Sequence, residues 1–250
     1  MLAKEFSALH KPLSVAAAVF ALVFGSVPVV AQAQPASASG PVFSVDAAAE
    51  RIPNLGALAT ELKQYHDCSC TCGCYARDLD LQADRAIAFL RRRAGHRSSR
   101  EKLAVVLDID ETSLSNYQEM LRAGFAFDAT AFDTWVNTAA APAIPGTLRL
   151  DKEAQSLGVQ VFLITGRPDS ERAATERNLR AQGFGWKQLT LRPASTKSES
   201  VIAYKSGARA QIAAQGYKII LNVGDQWSDL KGAPEAEFSV KYPNPYYLIP

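Results

Sequence analysis

Two aspartates separated by one residue follow an unbroken apolar run at Leu103–Leu107. They are Asp108 and Asp110, and Thr112 comes two positions later. The run has the length and β-branched content of a strand that is buried on both faces. Side chains at positions i and i+2 of a strand point the same way, so both carboxylates emerge together at its carboxyl end. Such a pair suits a shared cation or proton, although an Asp-rich turn that caps a helix has the same pattern.

Further polar groups follow other predicted strands. Thr165 and Gly166 end one apolar run, Asp225 and Asp229 follow another, and Lys205 lies in the predicted helix between them. Each of these residues alone has an ordinary explanation as a cap, a loop residue or a surface lysine. Because the carboxyl ends of parallel strands meet at one edge of a sheet, their joint occurrence predicts a single site for a phosphate or a metal.

The elements that must position these residues alternate between strand and helix. This βαβ order predicts an α/β fold with a mostly parallel sheet and helices on both faces. Gly158, Gly183 and Gly216 fall where three of the helices should stop before the next strand. The predicted strands are Leu103–Leu107, Val159–Ile164, Leu189–Leu191 and Tyr217–Val223, and the predicted helices lie near Leu55–Tyr65, Tyr75–Arg93, Thr147–Leu157, Ser170–Gln182 and Val201–Ala214.

One long interval, from Ser113 to Pro145, shows no clear periodicity and is rich in aromatic residues. It follows the first predicted strand directly, so we expect it to lie over the carboxyl ends of the strands as a cap on a ligand site. The alternative is that its aromatic side chains form a small core of their own. No single aromatic residue of the interval is assigned as a substrate contact.

The N-terminal residues are predicted to lie outside the folded domain. Lysines precede an apolar stretch that ends in an Ala-x-Ala sequence formed by Ala31 and Ala33. We therefore predict a signal peptide over residues 1–33 with cleavage after Ala33, a flexible mature N-terminus over residues 34–54, and a secreted or periplasmic protein. An uncleaved membrane anchor is the alternative, but the apolar stretch is only marginally long enough for one.

All four cysteines of the chain lie close together, at Cys68, Cys70, Cys72 and Cys74. Export to an oxidising compartment favours two disulfides. Bridges between such near neighbours are strained, so the pairing of Cys68 with Cys74 and of Cys70 with Cys72 stays open. A thiolate site for a soft metal and free thiols are the alternatives.

Composition excludes some classes of function. The chain has 250 residues, an apolar fraction of 48% and a net charge of +2, which is typical of ordinary globular material with one or two domains. The small net charge gives no reason to expect a nucleic-acid polymer as a partner. Beyond the N-terminal stretch no apolar run is long enough to span a bilayer, so no membrane association is expected after signal cleavage.

The residues at the strand ends resemble the four sequence motifs of the haloacid dehalogenase (HAD) superfamily. The longer strings Leu163–Pro168, Ile202–Ser206 and Gly224–Leu230 are similar to those of its secreted class B-like acid phosphatases, a group that includes plant acid phosphatases and vegetative storage proteins. The similarity runs from about Leu55 to the C-terminus. It implies a three-layer α/β/α Rossmann-like HAD domain over residues 55–250, with a small cap insertion at about 113–145 and additional N-terminal helices.

The resemblance also implies an exported, Mg²⁺-dependent acid phosphatase that acts on small phosphate monoesters. Asp108 is the expected nucleophile and forms an aspartyl-phosphate. Asp110 is the expected general acid and base, in a less polar setting than Asp108. We expect Mg²⁺ to be held by Asp108, the main-chain carbonyl of Asp110 and Asp225, whereas Asp229 orients a water at the metal.

Phosphate is expected to contact Thr165, Gly166 and Lys205, with Lys197 as the rival lysine. A non-catalytic storage or phosphate-binding protein on the same scaffold is the alternative function, and a signalling receiver domain is a third. The intact acidic residues and Lys205 favour catalysis over a storage or binding role, and the export signal disfavours a receiver domain.

Overall fold

The structure is a computed structural model that describes residues 54–68 and 74–249. The predicted signal peptide, the predicted flexible segment except Asn54, and Cys70 and Cys72 lie outside the described residues. In chain order the elements are α1 (Leu55–Asp67), α2 (Tyr75–Gly95), β1 (Lys102–Leu107), α3 (Tyr117–Arg122), α4 (Ala129–Thr138), α5 (Pro145–Ser156), β2 (Gln160–Pro168), α6 (Arg172–Ala181), β3 (Gln188–Arg192), α7 (Val201–Ala214), β4 (Tyr217–Gly224), α8 (Trp227–Leu230) and β5 (Phe238–Lys241).

The five strands form one sheet in the order β3-β2-β1-β4-β5, and every neighbouring pair is parallel. The chain moves outward from β1 to β3 on one side and then returns to build β4 and β5 on the other. The strand order therefore reverses between β1 and β4, and ligands of open α/β sheets bind in the crevice at such a point. The predicted α/β class and parallel sheet are confirmed.

Alternating side chains of the central strand pack on two separate cores. Val105 and Leu107 belong to the larger core, which includes the buried faces of α2 and α5. Ala104 and Val106 point the other way and pack with α7. Apolar residues on both faces of β1 explain its unbroken apolar run and give the three-layer arrangement that was predicted.

Three helices end just before the glycines that the sequence analysis singles out. Gly158, Gly183 and Gly216 come just after α5, α6 and α7, with φ angles of 65°, 87° and 83°. A left-handed backbone costs other L-residues roughly 1–2 kcal/mol, which glycine avoids. The predicted helix stops before β2, β3 and β4 are confirmed.

The structure contains elements in two places where the sequence pattern predicted none. The interval from Ser113 to Pro145 contains the short helices α3 and α4, and the carboxylate of Asp128 caps α4 by accepting a hydrogen bond from the Ala131 N–H at 2.7 Å. Helices this short leave little periodicity to detect. Strand β5 was not predicted, because four residues at the sheet edge carry too little pattern.

A disulfide between Cys68 and Cys74 joins the end of α1 to the start of α2. It realises one of the pairings left open by the sequence. Helix α1 has no buried residue of its own, and the His66 ring stacks on the Tyr117 ring with centroids 3.3 Å apart. The covalent link and this ring contact therefore hold α1 on the domain. Within the described residues, no helix combines the length and the apolar character that crossing a bilayer requires.

Candidate active site

Three buried carboxylates meet where β1 and β4 end. Asp108 follows β1, while Asp225 and Asp229 lie in the loop and short helix after β4. Each offers an oxygen, and these three atoms lie within 4.8 Å of one another. The Asp108 N–H donates to the carbonyl oxygen of Val223 at 3.0 Å, which fixes the two strand ends side by side. Asp108 and Asp225 are thus close enough to share one cation.

Lys205 of α7 is the cation that the chain itself places among these carboxylates. Its Nζ atom lies 2.5 Å from Oδ1 of Asp108 and also contacts Oδ1 of Asp229. Burial would lower the pKa of Lys205, but the two neighbouring carboxylates raise it above its ordinary value. The rival Lys197 is exposed to solvent.

One lysine does not balance three buried carboxylates. Burial holds the pKa of Asp108 well above its ordinary value despite Lys205, and the charges of Asp229 and Asp225 add to the effect. Burial and Asp229 also raise the pKa of Asp225. An all-oxygen, electron-rich site of this kind fits a hard divalent cation, which would supply the missing positive charge.

Asp229 is held from several directions. Its Oδ2 accepts a hydrogen bond from the Gln226 N–H at 2.8 Å, and its other oxygen contacts Lys205. Arg209, fully buried one helical turn after Lys205, donates to the Asp229 carbonyl oxygen at 2.6 Å. A Cβ atom on Gly224 would collide with the Asp229 side chain, so this close approach requires glycine there. Asp229 therefore contacts Lys205 and the backbone next to Asp225 at the same time.

Asp110 lies in a polar setting, which corrects the expectation of a less polar one. Arg167 donates to its Oδ1 from Nη2 at 2.7 Å and from Nε at 3.0 Å, and Asn116 Nδ2 donates to the same oxygen at 2.8 Å. Burial raises the pKa of Asp110, but the Arg167 charge and these hydrogen bonds outweigh it and leave the pKa below its ordinary value. The difference arises because β2 extends to Pro168 and carries Arg167 over the end of β1.

Arg167 is a site residue that sequence reasoning did not single out. Thr165 and Arg167 are separated by one residue of β2, and both are buried, whereas Gly166 between them is exposed. The Oγ1 atom of Thr165 lies 3.4 Å from Oδ2 of Asp110 and accepts a hydrogen bond from the Arg167 N–H at 3.1 Å. The i, i+2 spacing from Thr165 was the available signal, since it places both side chains on one side of the strand.

A cavity of about 690 Å³ opens above these groups. Its floor contains Asp108, Asp110 and Lys205, and Gly166 lies at its edge. Side chains from the 113–145 interval also line the cavity. The apolar ones include Met120, Phe125, Phe127 and Phe132, and the acidic ones are Glu119, Asp128 and Asp133. The interval therefore covers the carboxyl ends of the strands, where the sequence places it.

Known proteins are similar to this chain in sequence and in fold. The family model described as HAD superfamily, subfamily IIIB (acid phosphatase) matches residues 31–250. The chain is 42% identical over 148 residues to acid phosphatase 1 of Solanum lycopersicum and 39% identical over 150 residues to the stem 28 kDa glycoprotein of Glycine max. These matches cover 58% of this chain and 58% and 59% of the two relatives, so the chain spans less than two thirds of their length.

Among solved structures, the class C acid phosphatase from Bacillus anthracis superposes with a TM-score of 0.61 at 22% identity, over 76% of this chain and 86% of that one. At this identity the likeness shows the fold alone. A parallel sheet with an acidic centre at its reversal point fits a HAD-type protein, and the family match decides the assignment. With the family match over most of its length, the chain belongs to the HAD superfamily, subfamily IIIB.

Proposed function

We propose that the protein is a Mg²⁺-dependent acid phosphatase that hydrolyses small phosphate monoesters through an aspartyl-phosphate on Asp108. The supporting observation is the buried centre in which Asp108, Asp225 and Asp229 meet, Lys205 contacts the first and the last of them, and Asp110 lines the same cavity. A phosphoryl group repels an anionic nucleophile, and positive charge around its oxygens removes this obstacle.

The first chemical step is attack by a carboxylate oxygen of Asp108 on phosphorus. Lys205 binds one oxygen of Asp108 and leaves the other for the attack. The bond from Asp108 to phosphorus forms as the ester P–O bond breaks, and Asp110 gives its proton to the leaving alkoxide. Asp110 then takes a proton from water, which attacks phosphorus, releases inorganic phosphate and restores Asp108.

Arg167 links substrate binding to the protonation state of Asp110. Its guanidinium group keeps the pKa of Asp110 low as long as the two side chains are paired. An incoming phosphoryl group competes for the guanidinium, since Arg binds phosphate by two parallel hydrogen bonds. Released from Arg167, Asp110 retains its burial, which raises its pKa and favours the protonated acid that the first step needs.

The residues proposed to hold Mg²⁺ are Asp108, Asp225 and the main-chain carbonyl of Asp110, while Asp229 orients them. When bound, Mg²⁺ neutralises charge on the phosphoryl oxygens. The phosphoryl group itself is proposed to contact Thr165, Gly166 and Lys205; the first and last of these side chains already reach the carboxylates.

The proposal also covers export of the protein and the limits of its domain. The Cys68–Cys74 disulfide supports an oxidising compartment outside the cytoplasm, in line with the signal peptide proposed for residues 1–33. Residues 55–250 are proposed to form the phosphatase domain, with 113–145 as its cap. The family match begins at residue 31, close to the proposed cleavage point.

A storage role is the second candidate, because vegetative storage protein 1 of Arabidopsis thaliana is 34% identical to this chain over 151 residues. The deciding experiment measures phosphate release by purified protein from 4-nitrophenyl phosphate, phenyl phosphate and a nucleoside monophosphate. We expect release that stops with a chelator and returns with Mg²⁺, and a phosphorylated Asp108 peptide after a rapid acid quench. Absence of release from protein that binds Mg²⁺ would overturn the enzyme proposal in favour of storage.

A further inference from the structure

A segment outside the four motifs reaches the acidic centre. Residues 242–249, here called the closing segment, follow β5 and pass beside the ends of β1 and β4. We propose that two of its residues are positioning residues of the catalytic centre: Asn244 holds the metal ligand Asp225, and Tyr247 holds the turn that carries Asp110. The inference rests on the proposed function and adds to it a second layer of side chains.

Asn244 acts on Asp225 directly. Its Nδ2 atom donates to Oδ2 of Asp225 at 2.7 Å, and Thr112 Oγ1 donates to the opposite oxygen at 3.1 Å. The Asp225 carboxylate is therefore held by a donor at each oxygen, which fixes its rotation about the carboxyl group. The Oδ1 atom of Asn244 accepts a hydrogen bond from the Tyr246 N–H at 2.8 Å, so the same side chain also shapes its own turn.

Gln226 connects this contact to the rest of the closing segment. Its Nε2 atom donates to Asp225 Oδ2 at 2.7 Å and to the carbonyl oxygen of Tyr247 at 3.3 Å. Its Oε1 atom accepts from the Ile249 N–H at 2.9 Å. A single side chain next to the metal ligand thus ties down the backbone on both sides of residue 248.

Tyr247 acts on the other half of the site. Its hydroxyl donates to Oε2 of Glu111 at 2.6 Å, and Glu111 also accepts from the backbone N–H of Asn116 at 2.6 Å. The amide of Asn116 in turn donates to Asp110 at 2.8 Å. Glu111 is buried and has a φ of 54°, a left-handed conformation that costs a non-glycine residue about 1–2 kcal/mol. The Tyr247 and Asn116 hydrogen bonds hold this strained turn, and the turn aims Asp110.

These contacts separate into two measurable roles. Asn244 should set the affinity for the metal, since loss of a hydrogen-bond partner behind a ligand typically weakens metal binding about 10–100-fold. Tyr247 should instead set the turnover number, since it acts through Glu111 and Asn116 on the proton donor. If the closing segment had only a structural role, its variants would lower thermal stability without separating the effect on metal affinity from the effect on turnover number.

Tyr75 provides a matched control for Tyr247. Tyr75 is buried and Tyr247 is half-buried, but the Tyr75 hydroxyl has no hydrogen-bond partner among the described residues, and Tyr75 lies outside the cavity. Tyr75→Phe and Tyr247→Phe therefore delete the same hydroxyl oxygen, and only the second breaks a hydrogen bond.

The experiment combines Mg²⁺ titration by calorimetry with kcat and KM for 4-nitrophenyl phosphate at saturating Mg²⁺. For Asn244→Ala we expect Mg²⁺ affinity to fall by about 10-fold or more, with kcat largely recovered at high Mg²⁺; Asn244→Ser, which keeps a turn-forming oxygen, serves if the alanine variant unfolds. For Tyr247→Phe we expect kcat to fall about 10-fold, the effect of a hydrogen bond worth about 1.4 kcal/mol, with KM and Mg²⁺ affinity unchanged. Tyr75→Phe should match the wild type.

The proposal is overturned if a folded Asn244 variant binds Mg²⁺ as the wild type does, or if Tyr247→Phe and Tyr75→Phe have the same kcat. Failure of the proposed function would look different. In that case the wild type itself would release no phosphate, while the calorimetric comparison of Asn244 variants would still decide the first half of the inference.

Discussion

Asp108 and Asp110 leave the same strand end two residues apart and yet have opposite environments. Asp108 shares its surroundings with other buried carboxylates and has a pKa raised by burial. Asp110 is paired with Arg167 and has a lowered pKa. The first side chain lacks sufficient positive charge around it, and the second already has its counter-ion. The proposed mechanism therefore places a cation beside Asp108 and separates Asp110 from its arginine.

The neighbouring strands create this difference. Asp108 faces the β4 side of the sheet, where Lys205 and Asp225 lie, and Asp110 faces the β2 side, where Arg167 lies. The turn after β1 supplies two identical side chains, and the elements on either side give them different chemistry.

The largest expected effect comes from removing the charge of the first carboxylate. Asp108→Asn keeps the shape of the side chain but removes the nucleophile, so we expect kcat to fall by about 10⁴-fold or more. Circular dichroism should show a folded protein, and acid-quenched samples should contain no phosphorylated peptide. A variant that retains most of its activity would place the nucleophile elsewhere.

The second test removes the counter-ion of Asp110. Without the guanidinium group of Arg167 the pKa of Asp110 rises, because burial is then less opposed. A general acid works only when protonated, so in Arg167→Met the alkaline limb of the kcat/KM profile should move to higher pH. The lost phosphoryl contact should lower kcat/KM by about 100-fold.

Arg172→Met is the control for that change, since Arg172 is a partly exposed arginine whose nearest carboxylate is Asp169. Its pH profile should coincide with that of the wild type. An unmoved alkaline limb in Arg167→Met would show that Asp110 is not the group that titrates there.

A smaller effect is expected from crowding Asp229 without changing any charge. The methyl group of Gly224→Ala collides with the Asp229 side chain and should displace it from Lys205. We expect Mg²⁺ affinity, measured by calorimetry, to fall by about 10-fold. Gly207→Ala on α7 adds the same methyl group where no atom beyond its chain neighbours and its own helix backbone lies within 4 Å, so it should leave metal binding intact. Equal affinities in the two variants would contradict the proposed orienting role of Asp229.

The smallest effect concerns the opposite end of the same strand. Glu101, just before β1, contacts Arg93 and Lys218, and the Arg93 hydrogen bond lowers its pKa to about 2. The stability it contributes is present above the ordinary carboxylate pKa and is lost as the pH falls through the lowered value. Glu101→Gln should therefore lower Tm by no more than about 2 °C at pH 7, with a difference that disappears near pH 2 and with kcat/KM unchanged.

The site residues that lie at strand ends can be predicted from the sequence. Asp108 and Asp225 each follow an apolar run, and in a parallel sheet this alone brings them to one edge. Lys205 lies in a helix, and the resemblance to known motifs was what distinguished it from Lys197. These residues can be identified without knowing any tertiary contact.

The partners of these residues could not be predicted in the same way. Asn244 lies 19 residues beyond Asp225, and Tyr247 lies 136 residues beyond Glu111, in a stretch without periodicity. Arg167 was hidden because β2 continues through a glycine and ends in a proline, residues that normally indicate a loop. Such contacts depend on how separate segments dock, which local patterns do not encode.

The sheet order has a kinetic consequence. Lys205 and Asp108 are 97 residues apart in the chain, and the closing segment reaches back still further. Long-range parallel pairings form slowly because a large loop must close before they are stabilised. A partly assembled sheet would therefore lack a working centre, and the return of turnover after dilution from urea would report the completion of refolding.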